Sequence, residues 1–307
     1  MRYPSIDNHY LTKNLKYKKE LFKDKMEETI WCVEEKVHGA NISFEFAPNT
    51  PVKFFSRNQE IIGDEFYNCW DDLKKYEKIL QPVQTFVDKF EYKIRLFSEY
   101  CGPGIQKGID YGSERKFIFF DMMMFDQFVS RETLKNLFKS LYLSEYTSHI
   151  LSVFQTLDEA FEFNTVINST HSNKEDNIIE GVVIKPLNTA LLDQHGSPCY
   201  FKIKNKKFME RKPKKNIIKV TYSDDVNDKH NIFMSYITKA RMDNIFSKEG
   251  CIEDVSELGK YITLIRNDAI EEFNKENEYD ITKYDKKEDS FIFNCAKPLV
   301  ELLKGEL

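Results

Sequence analysis

The sequence predicts an α+β protein in two unlike parts, and three observations carry that expectation. Short strand-like runs, parted by glycine, proline and asparagine clusters, recur through the first two-thirds of the chain. Amphipathic helical patterns intervene between them. Past Tyr222 the strand signals fade, and apolar residues recur at three- and four-residue spacing. A β-rich domain over residues 1–220 and a small all-α domain over 221–307 follow from these patterns.

Taken in order, the strand-like runs lie at 30–33, 42–46, 52–55, 92–97, 117–121, 178–184 and 199–203. Helices are expected at 71–80, 82–90, 131–141 and 144–154. In the tail they are expected at 231–246, 255–274 and 298–303. No internal repeat or low-complexity tract interrupts the sequence.

Composition narrows the class. With 307 residues the chain can bury a full core, and 41% hydrophobic with 31% charged content describes a globular protein. No apolar run approaches the length of a membrane span, and Met1-Arg2-Tyr3-Pro4 lacks the apolar core of a signal peptide. Cys32, Cys69, Cys101, Cys199, Cys251 and Cys295 are scattered without a C-x-x-C pair. That is the pattern of reduced thiols in an intracellular, cytoplasmic protein. Cys32, inside an apolar strand pattern, is expected in the core. The net charge of −5 hides a basic stripe over 199–220, where Glu210 is the one acid among nine lysines and arginines. Such a stripe suits a polyanion, and equally suits a solvated lysine-rich linker.

Several segments combine residue types that chemistry on phosphates needs. Glu35-Lys36-Val37-His38-Gly39-Ala40-Asn41 puts a lysine at a strand end beside a glycine turn, where it can attack a phosphate. A solvated surface lysine is the plain alternative. If 199–207 is a strand, its period of two sends Tyr200, Lys202, Lys204 and Lys206 to one face. A cationic row repels itself and becomes favourable opposite a triphosphate, or else serves an exposed edge strand. Glu180 interrupts the apolar run 178–184, a costly place for a carboxylate unless it meets a cation or metal. Glu99 ends a strand before Gly102-Pro103-Gly104, at a rim where a sugar hydroxyl could be read, although turn acids are common. Phe117 to Phe120 are open between core and stacking roles, and Arg57 in Ser56-Arg57-Asn58 between site and surface.

The order K-x-H-G-x-N, S-R-N, E-x-x-G-P-G-I-Q-K-G, F-F-D, E-G-V-V-I-K-P, K-I-K resembles the covalent nucleotidyltransferases. It is most similar to the RNA ligase 2 family of double-strand RNA ligases and RNA-editing ligases. His38 separates that pattern from DNA ligases and capping enzymes, which usually carry aspartate there. Those enzymes, and a non-catalytic RNA-binding module of the same fold, are the competing readings. The resemblance covers nearly the whole chain, including Tyr236-Ile237-Thr238 to Ser247-Lys248. Ala40 departs from it, standing where the family commonly has threonine.

The resemblance implies an antiparallel-sheet adenylation fold, ATP-grasp-like, with ATP and Mg2+ or Mn2+ as cofactors. Its implied substrate is a nicked RNA or RNA-containing duplex bound by a monomer, with no membrane partner. Lys36 would be the adenylylated nucleophile. Glu35, His38 and Asn41 would shape the nucleotide pocket, Arg57 would contact sugar or phosphate, Glu99 would bind ribose, and Phe120 would stack on adenine. Glu180 would organise the metal, while Lys202 and Lys204 would hold phosphates. Arg241 and Asp268 would serve RNA joining. A free lysine has a pKa of about 10.4, so neighbouring cations are expected to favour its neutral, nucleophilic form.

Overall fold

The computed structural model describes residues 3–10, 12–64, 66–208, 222–252, 254–277, 279 and 283–305. The chain divides into two compact units, 1–207 and 208–307. The expected boundary at 220, and the basic stripe from 209 onward, lie outside the described residues.

The first unit opens with β1 (Asp7–Asn8), α1 (Thr12–Leu21), α2 (Lys23–Met26), β2 (Trp31–Glu35), β3 (Ala40–Phe46) and β4 (Lys53–Ser56). It continues with α3 (Trp70–Ile79), α4 (Gln81–Phe90), β5 (Ile94–Cys101), β6 (Lys116–Met124), β7 (Gln127–Phe128) and α5 (Arg131–Ser140). Then come β8 (Ile150–Phe154), α6 (Leu157–Phe161), β9 (Gly181–Pro186) and β10 (Phe201–Lys204).

These strands form two five-stranded sheets, ordered β1-β10-β9-β2-β8 and β4-β3-β5-β6-β7. Every pairing is antiparallel except the short parallel contact of β1 with β10. The second sheet buries Phe44, Phe54, Phe117 and Phe119 under α3, α4 and α5. The first buries Trp31, Val33, Ile184 and Phe201, with Leu157 and Ala160 of α6 packed on them. Cys32 is fully buried, as its strand pattern implied.

A bulge in β6 aims two consecutive side chains at the same place. Phe97 pairs with Asp121 and Ser98 with Phe119, so Phe120 is the extra residue. Phe119 enters the aromatic core, while Phe120 and Asp121 both meet Tyr3 and Lys185. A buried ionic cluster then ties the sheets together. Lys185 of β9 lies 3.0 Å from Glu34 of β2 and 3.3 Å from Asp121 of β6, and donates to the Phe120 carbonyl at 2.9 Å. Arg131 of α5 pairs with the same Glu34.

Three sequence expectations are corrected here. The helix expected at 144–154 is a short 3-10 turn, Ser144–Tyr146, followed by β8. The run Ile150-Leu151-Ser152-Val153-Phe154 pairs along β2, and that tertiary pairing overrides its helical spacing. The strand expected from 178 begins only at Gly181, leaving Glu180 at its start. The elements β1, β7, α1, α2 and α6 add to those expected.

In the second unit lie α7 (Asp224–Met234), α8 (Lys239–Glu249), α9 (Leu258–Asn277), α10 (Lys286–Ile292) and α11 (Ala296–Lys304). They share one core around Phe233, Tyr236, Ile265 and Phe273. The single helix expected at 231–246 is two, because Thr238 caps α8 by accepting from the Arg241 amide. Asp285 and Glu288 form a capping box that starts α10. This unit is all-helical among the described residues, as the sequence predicts.

Candidate active site

Lys36 follows β2 directly, and its amide donates to the Gly181 carbonyl at 2.9 Å. That bond seats the lysine beside the start of β9, where Glu180 stands. Gly181 is required there: a Cβ would overlap the Ile203 carbonyl of β10. Glu180 is thereby held between the strand end that carries Lys36 and the strand that carries Lys204.

The Glu180 carboxylate collects three partners. Lys36 Nζ meets Oε2 at 2.8 Å, His38 Nδ1 meets the same oxygen at 3.1 Å, and Lys204 Nζ meets Oε1 at 3.1 Å. Burial by itself would raise this carboxyl, but Lys36, Lys204 and His38 outweigh it and hold Glu180 well below the usual carboxylate range. His38 Nε2 faces the Lys107 carbonyl at 3.2 Å. The His38 amide donates to the Tyr111 hydroxyl at 2.8 Å, which fixes the backbone beside Lys36.

Glu99 feels the same cluster. Burial pushes its carboxyl up to about 7, with Glu180 raising it further and Lys36, His38 and Arg57 pulling it down. Asn41 sits opposite Glu99 in the β3–β5 register and donates to the Ser98 carbonyl at 3.4 Å. Lys202 and Lys204 lie on one face of β10 at a period of two, opposite Val183 and Gly181 of β9. Phe120 is half-buried in its bulge, with Lys185 Nζ 5.1 Å from its ring centre. Arg57 Nη2 donates to Ser5 Oγ at 3.1 Å.

Lys36, His38, Glu180 and Lys204 are thus brought into contact, with Glu99 and Arg57 in their electrostatic field. Other expectations are revised. Glu35 turns its buried carboxylate to Ser169 Oγ, the Thr170 amide and Thr170 Oγ1, at 2.6, 2.7 and 3.0 Å. Those bonds occupy both oxygens, so the carboxylate props the 169–170 loop and does not join the cluster. Lys206 leaves the cationic row, because the chain turns into the 3-10 segment Lys206–Phe208 after β10. The charge in contact with Lys36 is the Glu180 carboxylate, not the cation expected to favour its neutral form. Ala40 is fully buried at the Tyr100 register position, a site that suits a methyl group.

Arg241 is fully buried, joined to Asp268, to Glu272 at 2.7 Å and to the Tyr236 carbonyl at 2.9 Å. Asp268 also meets Lys248 at 3.0 Å. The guanidinium faces inward and pins α8 to α9. Sequence reasoning missed Tyr3, Ser5, Tyr111 and Lys185. Of these, Lys185 lies inside the run E-G-V-V-I-K-P and Tyr111 three residues past the run E-x-x-G-P-G-I-Q-K-G, whereas Tyr3 and Ser5 carry no local signal.

Antiparallel sheets joined through the β6 bulge, with a lysine–carboxylate–lysine cluster between strand ends, define a protein of nucleotidyltransferase fold. A family model described as RNA ligase matches residues 29–204, more than half of the chain. The model described as T4 RNA ligase 2 C-terminal matches residues 220–295. The chain belongs to the RNA ligase family. Among solved structures it is similar to an RNA ligase of Naegleria gruberi. One variant of that ligase, solved apo, aligns at 16% identity and a TM-score of 0.51, covering 68% of this chain and 56% of that one. A second variant, solved with ATP and Mn, gives 16% and 0.51, covering 68% and 57%. The chain therefore spans just over half the length of the ligase it matches, and at this identity the likeness concerns the fold. Among the described residues, no helix is long and apolar enough to cross a membrane.

Proposed function

We propose that this protein is an ATP-dependent RNA ligase that seals 3′-hydroxyl and 5′-phosphate ends at nicks in duplex RNA. The observation that carries the reading is the convergence of Lys36, His38 and Lys204 on Glu180. Membership of the RNA ligase family supports it, and so does the ATP and Mn bound by the Naegleria ligase.

Lys36 must shed a proton and leave its ion pair to act as a nucleophile. Its Nζ then attacks the α-phosphorus of ATP, forming a P–N bond as the bond to the β-phosphate breaks and pyrophosphate leaves. An oxygen of the RNA 5′-phosphate next displaces Lys36 from the adenylyl phosphorus. Finally the 3′-hydroxyl attacks the 5′-phosphorus and releases AMP. Lys202 and Lys204 stabilise the phosphate charge that develops in these transfers. Phe120 offers a ring to adenine, and Glu99 with Arg57 reads the ribose and phosphate. Arg241 and Asp268 contribute to joining by holding α8 on α9.

Mg2+ or Mn2+ fits this donor set in one manner. No group of three or more His, Cys, Asp or Glu poised for a metal occurs among the described residues. Mg2+ commonly takes one or two carboxylates and completes its shell with substrate phosphates and water. Glu180 can supply such a carboxylate, and the metal would add positive charge at the phosphates.

The test is labelling with α-labelled ATP and metal. Wild-type protein should acquire a covalent AMP, and Lys36→Ala should acquire none while still unfolding in one cooperative transition, since Lys204 and His38 remain on the Glu180 carboxylate. Normal labelling of Lys36→Ala would overturn the proposal.

A further inference from the structure

We propose that residues 3–8 form a strap that positions the nucleotide site, with Tyr3 and Ser5 as positioning residues for Phe120 and Arg57. The inference rests on the proposed nucleotide site and adds to it two residues that no motif marks.

The strap crosses both sheets. Tyr3 is buried, and its hydroxyl donates to Asp121, the residue that shares the β6 bulge with Phe120. Tyr200 donates to the other oxygen of Asp121 at 3.1 Å, so one carboxylate fastens the strap and the segment entering β10 together. The Tyr3 ring meets Phe120 edge-on, with centroids 5.3 Å apart and planes at 80°. Edge-to-face contact fixes the plane of a ring as well as its place. A bulged aromatic has no ladder partner to define its orientation, so this contact supplies one. Burial beside Asp121 keeps the Tyr3 hydroxyl protonated far above neutral pH, which makes it a permanent donor and not an acid–base group.

Two residues on, Ser5 Oγ accepts from Arg57 Nη2 at 3.1 Å. Next, Asp7 and Asn8 pair in parallel with Phe201 and Lys202. The His9 amide continues this edge, donating to the Lys202 carbonyl at 3.2 Å. Asp7 is itself anchored by Lys18 at 2.7 Å and Asn14 at 2.9 Å, both from α1. In six residues the strap therefore touches the ring expected under adenine, the guanidinium expected at the ribose, and the backbone of the lysine strand. The first two ride on the second sheet and the third on the first. A segment bonded to both sheets sets the span between the base and phosphate ends of the nucleotide. Small errors in such a span are expensive, since misplacement by about 1 Å can cost roughly a hundredfold in rate.

The test compares Ser5→Ala, Ser5→Thr and Tyr3→Phe in the full chain. It reads the Kd for ATP by titration calorimetry and the KM for ATP in adduct formation. Ser5 is exposed, so Ser5→Ala should leave the unfolding temperature unchanged. It should weaken ATP binding and raise KM about fivefold, with kcat within about twofold, as expected for a lost bond to a charged group near solvent. Ser5→Thr should restore both values, and Tyr3→Phe should raise KM with its ring still packed. Kd and KM within twofold of wild type for both Ser5→Ala and Tyr3→Phe would overturn the strap. So would failure of Ser5→Thr to restore binding. Wild-type protein that binds ATP but forms no adduct would end the catalytic reading alone, the strap then being decided by the Kd ratios. Absence of ATP binding by the wild type would overturn both.

Discussion

Replacing Lys185 with methionine tests the ionic cluster that joins the sheets behind the site. The side chain is 2% exposed and faces Glu34 at 3.0 Å, Asp121 at 3.3 Å and the Phe120 carbonyl at 2.9 Å. Burial would lower its pKa, but Asp121 and Glu34 outweigh burial and raise it, so the ammonium is charged. The cluster balances Glu34 and Asp121 against Lys185 and Arg131. Methionine keeps the volume and leaves one buried negative charge uncompensated, a defect that costs about 3–5 kcal/mol. For a unit of this size each kcal/mol moves the unfolding midpoint by about 2–4 °C, so a fall of about 6–20 °C is expected at pH 7. Asp121 already has a raised pKa from burial, and losing Lys185 raises it further. A carboxyl raised above its unfolded value favours the fold when protonated and loses that advantage as pH rises through the folded pKa. The deficit of Lys185→Met should therefore shrink at acid pH, and adding Asp121→Asn should recover half or more of it at pH 7. Scanning calorimetry between pH 5 and 8 measures all three proteins. A midpoint for Lys185→Met within 2 °C of wild type, or no recovery in the double variant, would refute the reasoning.

Further outcomes are expected elsewhere in the site. Glu99 carries a carboxyl raised to about 7, so its contribution to stability is full below about pH 4.5 and declines as pH rises toward and past 7. Glu99→Gln, which mimics the protonated acid, should match wild type near pH 4.5 and exceed it in thermal stability by pH 8; a pH-independent difference would sink this account. Lys202→Ala and Lys204→Ala should each slow adduct formation by about a hundredfold, the scale of removing one stabilising charge from a transferring group. Labelling at the wild-type rate by both would mean that the lysines only dress a strand face.

Much of this architecture is legible in the sequence where the signal is local. The strand runs around Trp31, Phe44 and Phe117 and the helices over Trp70–Ile79, Gln81–Phe90 and Arg131–Ser140 follow from apolar periodicity, because one face of each must be buried. The order of motifs likewise singles out Lys36, His38, Glu180 and Lys204, which the fold brings into contact. What sequence could not settle depends on partners distant along the chain. Whether 150–154 is helix or strand is decided by β2, more than a hundred residues earlier. The direction of the Glu35 carboxylate is decided by Ser169 and Thr170, and the inward turn of Arg241 by Asp268 and Glu272. The bulge that leaves Phe120 half-buried but buries Phe119 fully is a matter of β5 register, invisible in the run Phe117-Ile118-Phe119-Phe120. Local pattern determines which residues form elements and which chemistry they can carry. Only long-range pairing decides where each charge meets its counter-charge, because a buried ion pair is favourable only when the fold delivers both members to one place.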